Sequence, residues 1–122
     1  MAAPISTSLA EGQSTNRPPL FNGSNYTYWK ARMRIFVQTS NYDLWNIIVY
    51  GPHTPTKIMD DLSFPKPEKE WDEHDKRMAQ LNAKAMNVLY CSLDANEFNR
   101  ISTCNSAKEI WDRLEVTHEG TN

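Results

Sequence analysis

Residues 68–91 constrain the fold more than any other part of this chain. Trp71, Met78, Leu81, Ala85, Val88 and Leu89 recur there at the helical period. Pro67 suits a first helical turn, and Glu68, Glu70, Asp72 and Glu73 put negative charge beside the positive end of the helix dipole. The pattern predicts one helix from Pro67 or Glu68 to about Cys91. Asp72 with Lys76, and Glu73 with Arg77, stand at i,i+4 spacing, worth ~0.2–0.5 kcal/mol a pair. About 24 residues at ~1.5 Å each make a rod of roughly 36 Å, enough to traverse a small domain. Its apolar stripe needs cover from the rest of the chain.

Four further segments read as helices. Ser24 or Asn25, after Gly23, is a natural N-cap for the first. Tyr26, Trp29, Met33 and Phe36 or Val37 then fall on one stripe, while Tyr28, Ala31 and Ile35 widen the apolar surface to a second face. A short helix follows over residues 42–50, with Ser40 and Asp43 at capping-box spacing and Leu44, Trp45, Ile48 and Val49 as buried positions. Gly51-Pro52 ends it. A fourth begins at Asp94, with Glu97 as box partner and Phe98 and Ile101 facing inward. Ser106 and Glu109 open the fifth, whose Ala107, Ile110, Trp111 and Leu114 lie on one face and which Gly120 is placed to stop. Residues 52–67 hold four prolines and no sustained period, which reads as a long loop. No segment alternates convincingly as a strand, and no Asn-Gly hairpin turn occurs. The fold class is all-α, a compact bundle of about five helices.

The core this predicts is Tyr26, Trp29, Met33, Phe36, Trp45, Trp71, Leu81, Leu89, Trp111 and Leu114. Four tryptophans, five tyrosines and four phenylalanines supply it. Each such side chain contributes roughly 1.5–3 kcal/mol if fully buried, so neither disulfides nor metal are needed. At 122 residues the chain fits one domain. Residues 1–19, rich in Ala, Ser, Thr, Pro and Gly, are expected to be disordered; residues 20–120 form the lobe, and 121–122 are a tail. Pro18-Pro19 forces extended backbone into Leu20-Phe21.

Composition narrows the function. A net charge of −2 provides no global field for nucleic acid. Cys91 and Cys104 form no CxxC pair and read as reduced thiols of a cytoplasmic protein. His74 and His118 lack the companions a zinc site needs. No stretch reaches the ~18–20 apolar residues of a membrane helix, and the N-terminus has no signal-peptide pattern. The four glycines build no phosphate-binding loop, and neither GxSxG nor HExxH is present. The acids around Glu68 to Asp75 are explained by the helix dipole, and His74 among them by solvent exposure. No enzyme, cofactor or metal is expected. Lys30, Arg32 and Arg34, interleaved with Tyr28, Trp29 and Phe36, form the one local basic cluster. It reads either as a weak RNA contact or as the exposed side of an amphipathic helix, and the buried-stripe spacing of the aromatics favours the second.

Three motifs then carry a resemblance. Leu20-Phe21-Asn22-Gly23-Ser24-Asn25-Tyr26-Thr27-Tyr28-Trp29, followed by Met33, is similar to the F-x-G-x-N-Y-x-x-W-x-x-x-M opening of Gag proteins of plant copia-type LTR retrotransposons. Trp71 and the Ala/Leu/Val ladder to Leu93 resemble that family's long central helix. Ser106-Ala107-Lys108-Glu109-Ile110-Trp111-Asp112-Arg113-Leu114 resembles its S/T-A-x-E-x-W-x-x-L helix. Together they span about residues 20–120. The resemblance implies a helical lobe like a retroviral capsid N-terminal domain, whose partner is itself in a virus-like particle shell. Family members usually continue into a second capsid lobe and an RNA-handling zinc-knuckle tail. The sequence ends at Gly120-Thr121-Asn122, which leaves a fragment, a truncated copy or a domesticated one open. A domesticated lobe would bind an extended hydrophobic peptide or a host protein, and Pro18, Pro19, Leu20 and Phe21 would then be a self-ligand laid in that groove.

Overall fold

A computed structural model describes residues 17–119. Five α-helices and one small hairpin follow in the order α1 (Tyr26–Ser40), α2 (Tyr42–Tyr50), β1 (Thr56–Met59), β2 (Leu62–Pro65), α3 (Glu73–Cys91), α4 (Ala95–Ile101) and α5 (Ala107–His118). The class is helical, as the periodicities predict. Residues 1–16 of the expected disordered segment, the stop at Gly120 and the 121–122 tail lie outside the described residues.

Entry into α1 is made by a polar turn. The Asn22 side-chain oxygen accepts from Ser24 N at 3.1 Å and from Ser24 Oγ at 2.7 Å. Gly23 sits at φ 98° and Asn25, the N-cap, at φ 57° without a side-chain cap bond. The cap of α2 differs from the expected one. Asn41 Oδ1 accepts from Asp43 N at 2.9 Å, whereas the Ser40 hydroxyl donates back to Phe36 O at 2.8 Å as the last residue of α1. Asn41 wins because it adopts the extended backbone a cap requires (φ −166°, ψ 107°).

The loop expected over residues 52–67 contains an antiparallel hairpin, and the absence of strands is thereby corrected. Thr56 pairs with Pro65, Lys57 with Phe64, Ile58 with Ser63 and Met59 with Leu62. Asp60 and Asp61 close it at φ 52° and 63°, the two left-handed residues of a type I′ turn. Below it, Lys66 N donates to Pro55 O at 2.9 Å.

The long helix starts later than its charge pattern indicates. Residues Glu68–Glu70 form a single 3-10 turn, and α3 begins at Glu73. Asp72 and Asp75 cap it reciprocally, each carboxylate taking the other's backbone N–H, at 2.8 and 3.1 Å. With Asp72 used in this box, the expected i,i+4 pairs do not form; Lys76 lies 3.9 Å from Glu73 and Arg77 3.9 Å from Asp43 of α2. Asp94 and Ser106 cap α4 and α5 as expected, accepting from Glu97 N and Glu109 N. Neither box closes, however; Glu109 Oε1 takes Asn105 N at 2.9 Å instead of the cap's own N–H.

Helix α2 packs on α1 and α3, and α5 packs on α2 and α3. Tyr26, Trp29, Met33, Leu81, Leu89, Trp111 and Leu114 are buried as predicted, with Val37, Ile48, Ile101 and Ile110 beside them. Phe36 and Trp45 are half-buried at the edge of this core. Trp71 is not in it. That ring is half-buried ahead of α3, donating from Nε1 to Lys66 O at 3.0 Å, because the helix has not yet begun where Trp71 stands. Tyr28, Ala31 and Ile35 form no second buried face; all three are exposed. An aromatic line runs through the lobe, with Phe21–Trp29, Trp29–Trp111 and Trp111–Trp45 centroids 5.0, 5.7 and 5.4 Å apart.

Candidate functional site

The segment before α1 is built into the lobe. Phe21 N donates to Ser92 O at 2.7 Å and Asp94 N to Phe21 O at 3.2 Å, a parallel bridge beside Leu93. The Phe21 ring is buried, while Leu20 points outward. Pro18 and Pro19 are half-buried, and Pro19 O accepts from Trp29 Nε1 at 2.9 Å. The alternation of Leu20 out and Phe21 in is what one residue of strand pairing imposes. Underneath, Glu97 Oε1 lies 2.6 Å from His118 Nε2, with both side chains buried. Glu97 therefore does not reach back to its own N-cap as the box spacing implied. The ring of His118 packs edge-on against Phe21 at 4.8 Å and stacks on Tyr26 at 5.7 Å.

The structure splits the basic cluster of α1. Lys30 is consumed internally, bonding Glu115 at 2.8 Å and Glu119 at 3.0 Å. Burial disfavours its charge, but these two carboxylates outweigh that and hold its pKa above the usual lysine value. The hydrogen bond from Lys30 likewise holds Glu115 below the usual carboxylate range. Arg32 lies over the Tyr28 ring at 5.3 Å, and Arg34 reaches Gln38 at 3.4 Å. Neither arginine has a carboxylate partner among the described residues. Arg34 also rims a cleft of about 370 Å³ floored by Trp45 and Trp111.

A clamp that the sequence reading missed fixes the hairpin. Asp75, buried on the first turn of α3, takes Lys66 Nζ at 2.8 Å on one oxygen and His53 Nε2 at 3.0 Å on the other. One carboxylate thus ties both legs of the hairpin to the helix. The Lys66 hydrogen bond, with help from Asp72 N–H and His53, overcomes burial and holds the Asp75 carboxyl well below the usual carboxylate range. Lys57 of β1 is tied down as well, 2.9 Å from Glu70. The signal in the sequence was the pair Asp60-Asp61 between two short β-prone runs, Thr56-Lys57-Ile58-Met59 and Leu62-Ser63-Phe64. His74, read as exposed, is exposed.

Among the exposed apolar side chains, which also include Leu20, Tyr42, Tyr50, Ile58 and Val116, two groups each share one face. Met59, Leu62 and Phe64 are 51%, 61% and 40% exposed, and the register places them on one face of the hairpin. Tyr28 and Ile35, 64% and 48% exposed, form a stripe on the outer side of α1. Among the described residues, no three His, Cys, Asp or Glu side chains are grouped to hold a metal. Cys91 is exposed; Cys104 is buried, which pushes its thiol pKa up.

Residues 33–122 match the family described as the gag-polypeptide of LTR copia-type elements. The chain belongs to this copia-type Gag family. No curated protein and no solved structure gives a significant match. The match takes in both downstream motifs of this Gag region, the α3 ladder and the α5 Ser106-to-Leu114 run. It begins at Met33, so the residues from Leu20 to Trp29 are tied to the Gag lobe by the contacts of Phe21, Tyr26 and Trp29. Membership supports a structural, capsid-related role. Among the described residues no helix is long and apolar enough to cross a membrane.

Proposed function

We propose that this chain is a non-enzymatic capsid lobe whose self-association in the cytoplasm helps to build a retrotransposon particle shell. The match over residues 33–122 carries this reading. Two uncovered apolar surfaces on a lobe with a complete core support it, since contiguous exposed apolar area marks interaction sites. Shells form from many weak contacts repeated between copies.

Sedimentation velocity over a concentration series, at low and high salt and with or without a generic RNA, tests the proposal. Oligomers that grow with protein concentration in the absence of RNA support it. A monomer at every concentration up to the millimolar range overturns it.

A second reading, a lobe that binds an extended hydrophobic peptide, is favoured by one observation. Phe21, at the end of the Pro18-Pro19-Leu20-Phe21 segment, exchanges backbone hydrogen bonds with Ser92 and Asp94 as a peptide ligand would. Deleting residues 1–21 would remove the buried Phe21 ring and uncover the apolar surface it packs on. A gain in hydrophobic-dye binding, reversed by adding a peptide of residues 16–23, supports this reading; unchanged dye binding and stability dismiss it.

A further inference from the structure

Both uncovered apolar surfaces are charged, with opposite signs. At the hairpin tip Asp60 and Asp61 have no cationic partner among the described residues, directly beside the apolar face of Met59, Leu62 and Phe64. On α1, Arg32 and Arg34 flank the stripe of Tyr28 and Ile35 and have no carboxylate partner among the described residues. Other charges nearby are already paired: Lys57 with Glu70, Lys66 with Asp75, and Lys30 with Glu115 and Glu119. On these two surfaces, then, the unpaired charges are the two aspartates of one and the two arginines of the other; Arg17, Glu68, Lys69 and Lys84 are further charges with no ion pair among the described residues.

We propose that the β1–β2 hairpin of one copy docks on the outer face of α1 of a second copy, in a repeating head-to-tail contact. This rests on the self-association reading above and names its contact. Hairpin-on-hairpin pairing would bring four carboxylates together, and pairing of α1 with α1 would bring four guanidiniums together. Each of those two-fold arrangements is opposed by like charge, whereas hairpin on α1 joins opposite charges over apolar area. The Asp75 clamp holds the hairpin in one orientation, so little conformational freedom is lost when it docks. A contact between two different surfaces of the same chain leaves one of each free at the ends, and so continues into a ring or an open array.

The test is sedimentation velocity on the full chain and on variants whose thermal unfolding matches the wild type. Arg32→Glu with Arg34→Glu is expected to weaken self-association at least about tenfold. Asp60→Asn with Asp61→Asn, which keeps residues tolerant of positive φ in the turn, is expected to weaken it in the same direction. The fourfold variant Arg32→Glu, Arg34→Glu, Asp60→Lys, Asp61→Lys restores opposite charge and is expected to recover association. A wild-type chain that associates while both double variants associate equally well overturns the hairpin contact and leaves the capsid reading standing. A wild-type chain that never associates overturns both. If Arg32→Glu with Arg34→Glu abolishes binding of a generic RNA and leaves association untouched, the arginine face serves RNA and the proposal falls.

Discussion

Asp75 Oδ2 lies 2.8 Å from Lys66 Nζ, a bond that joins the end of the hairpin to the first turn of α3. The carboxylate is buried, capped by Asp72 N–H and shared with His53, so it is stable only while ionised. Its pKa is depressed by the Lys66 bond first, so its contribution is present above the unfolded value and lost as pH falls through the folded one. Thermal stability is expected to be flat from neutral pH to about 5 and to decline below about 4. Asp75→Asn is expected to lower stability at neutral pH and to flatten this acid limb, as followed by circular dichroism across pH.

Tyr26 carries a prediction of the opposite kind. Its hydroxyl is buried and finds no hydrogen-bond partner among the described residues, and burial pushes its pKa up to about 12. An unsatisfied buried polar group costs about 1–3 kcal/mol. Tyr26→Phe is therefore expected to leave stability unchanged or raise it by about 1 kcal/mol, a few degrees in Tm. Because the folded pKa is raised, titration of this residue leaves stability unchanged below about pH 10, and stability falls as pH rises from there toward 12. The Phe variant should lose this alkaline dependence, which denaturation curves at pH 9–12 would reveal.

Gly23 explains the glycine of the opening motif. At φ 98° an L side chain is strained, and an added Cβ would come within 3.1 Å of Glu97 Oε2. Gly23→Ala is expected to destabilise by about 1–3 kcal/mol. A Tm equal to that of the wild type would contradict the tight approach of this turn to the Glu97–His118 pair.

Tryptophans that look alike in sequence should separate in a denaturation series. Trp29, 3% exposed and packed on Phe21 and Trp111, is expected to cost about 3–5 kcal/mol on truncation to Ala. Trp71, half-buried and outside the core, is expected to cost roughly half as much or less, because it creates no enclosed cavity. Equal losses at the two positions would place Trp71 in the core after all.

Helical class, the inner stripe of α1, the α5 face and two of the caps were legible because each depends on residues within one turn of each other. Tyr26, Trp29 and Met33 repeat at the helical period, and Asp94 and Ser106 find their N–H donors three residues on. The start of α3 was misread because Trp71 continues the apolar period while Asp72 and Asp75 form the box that begins the helix later. The hairpin was missed because its strands are four residues long and its turn uses Asp-Asp without glycine.

Local sequence, then, determined the helices of this Gag lobe and its family, since period, capping and motif spacing act between residues close along the chain. Only the tertiary structure decided which charges remain available. Lys30 meets Glu115 and Glu119, Asp75 meets Lys66 and His53, and Glu97 meets His118 across separations that no periodicity encodes. Arg32, Arg34, Asp60 and Asp61 were left over by that pairing, and ion pairing acts through space rather than along the sequence.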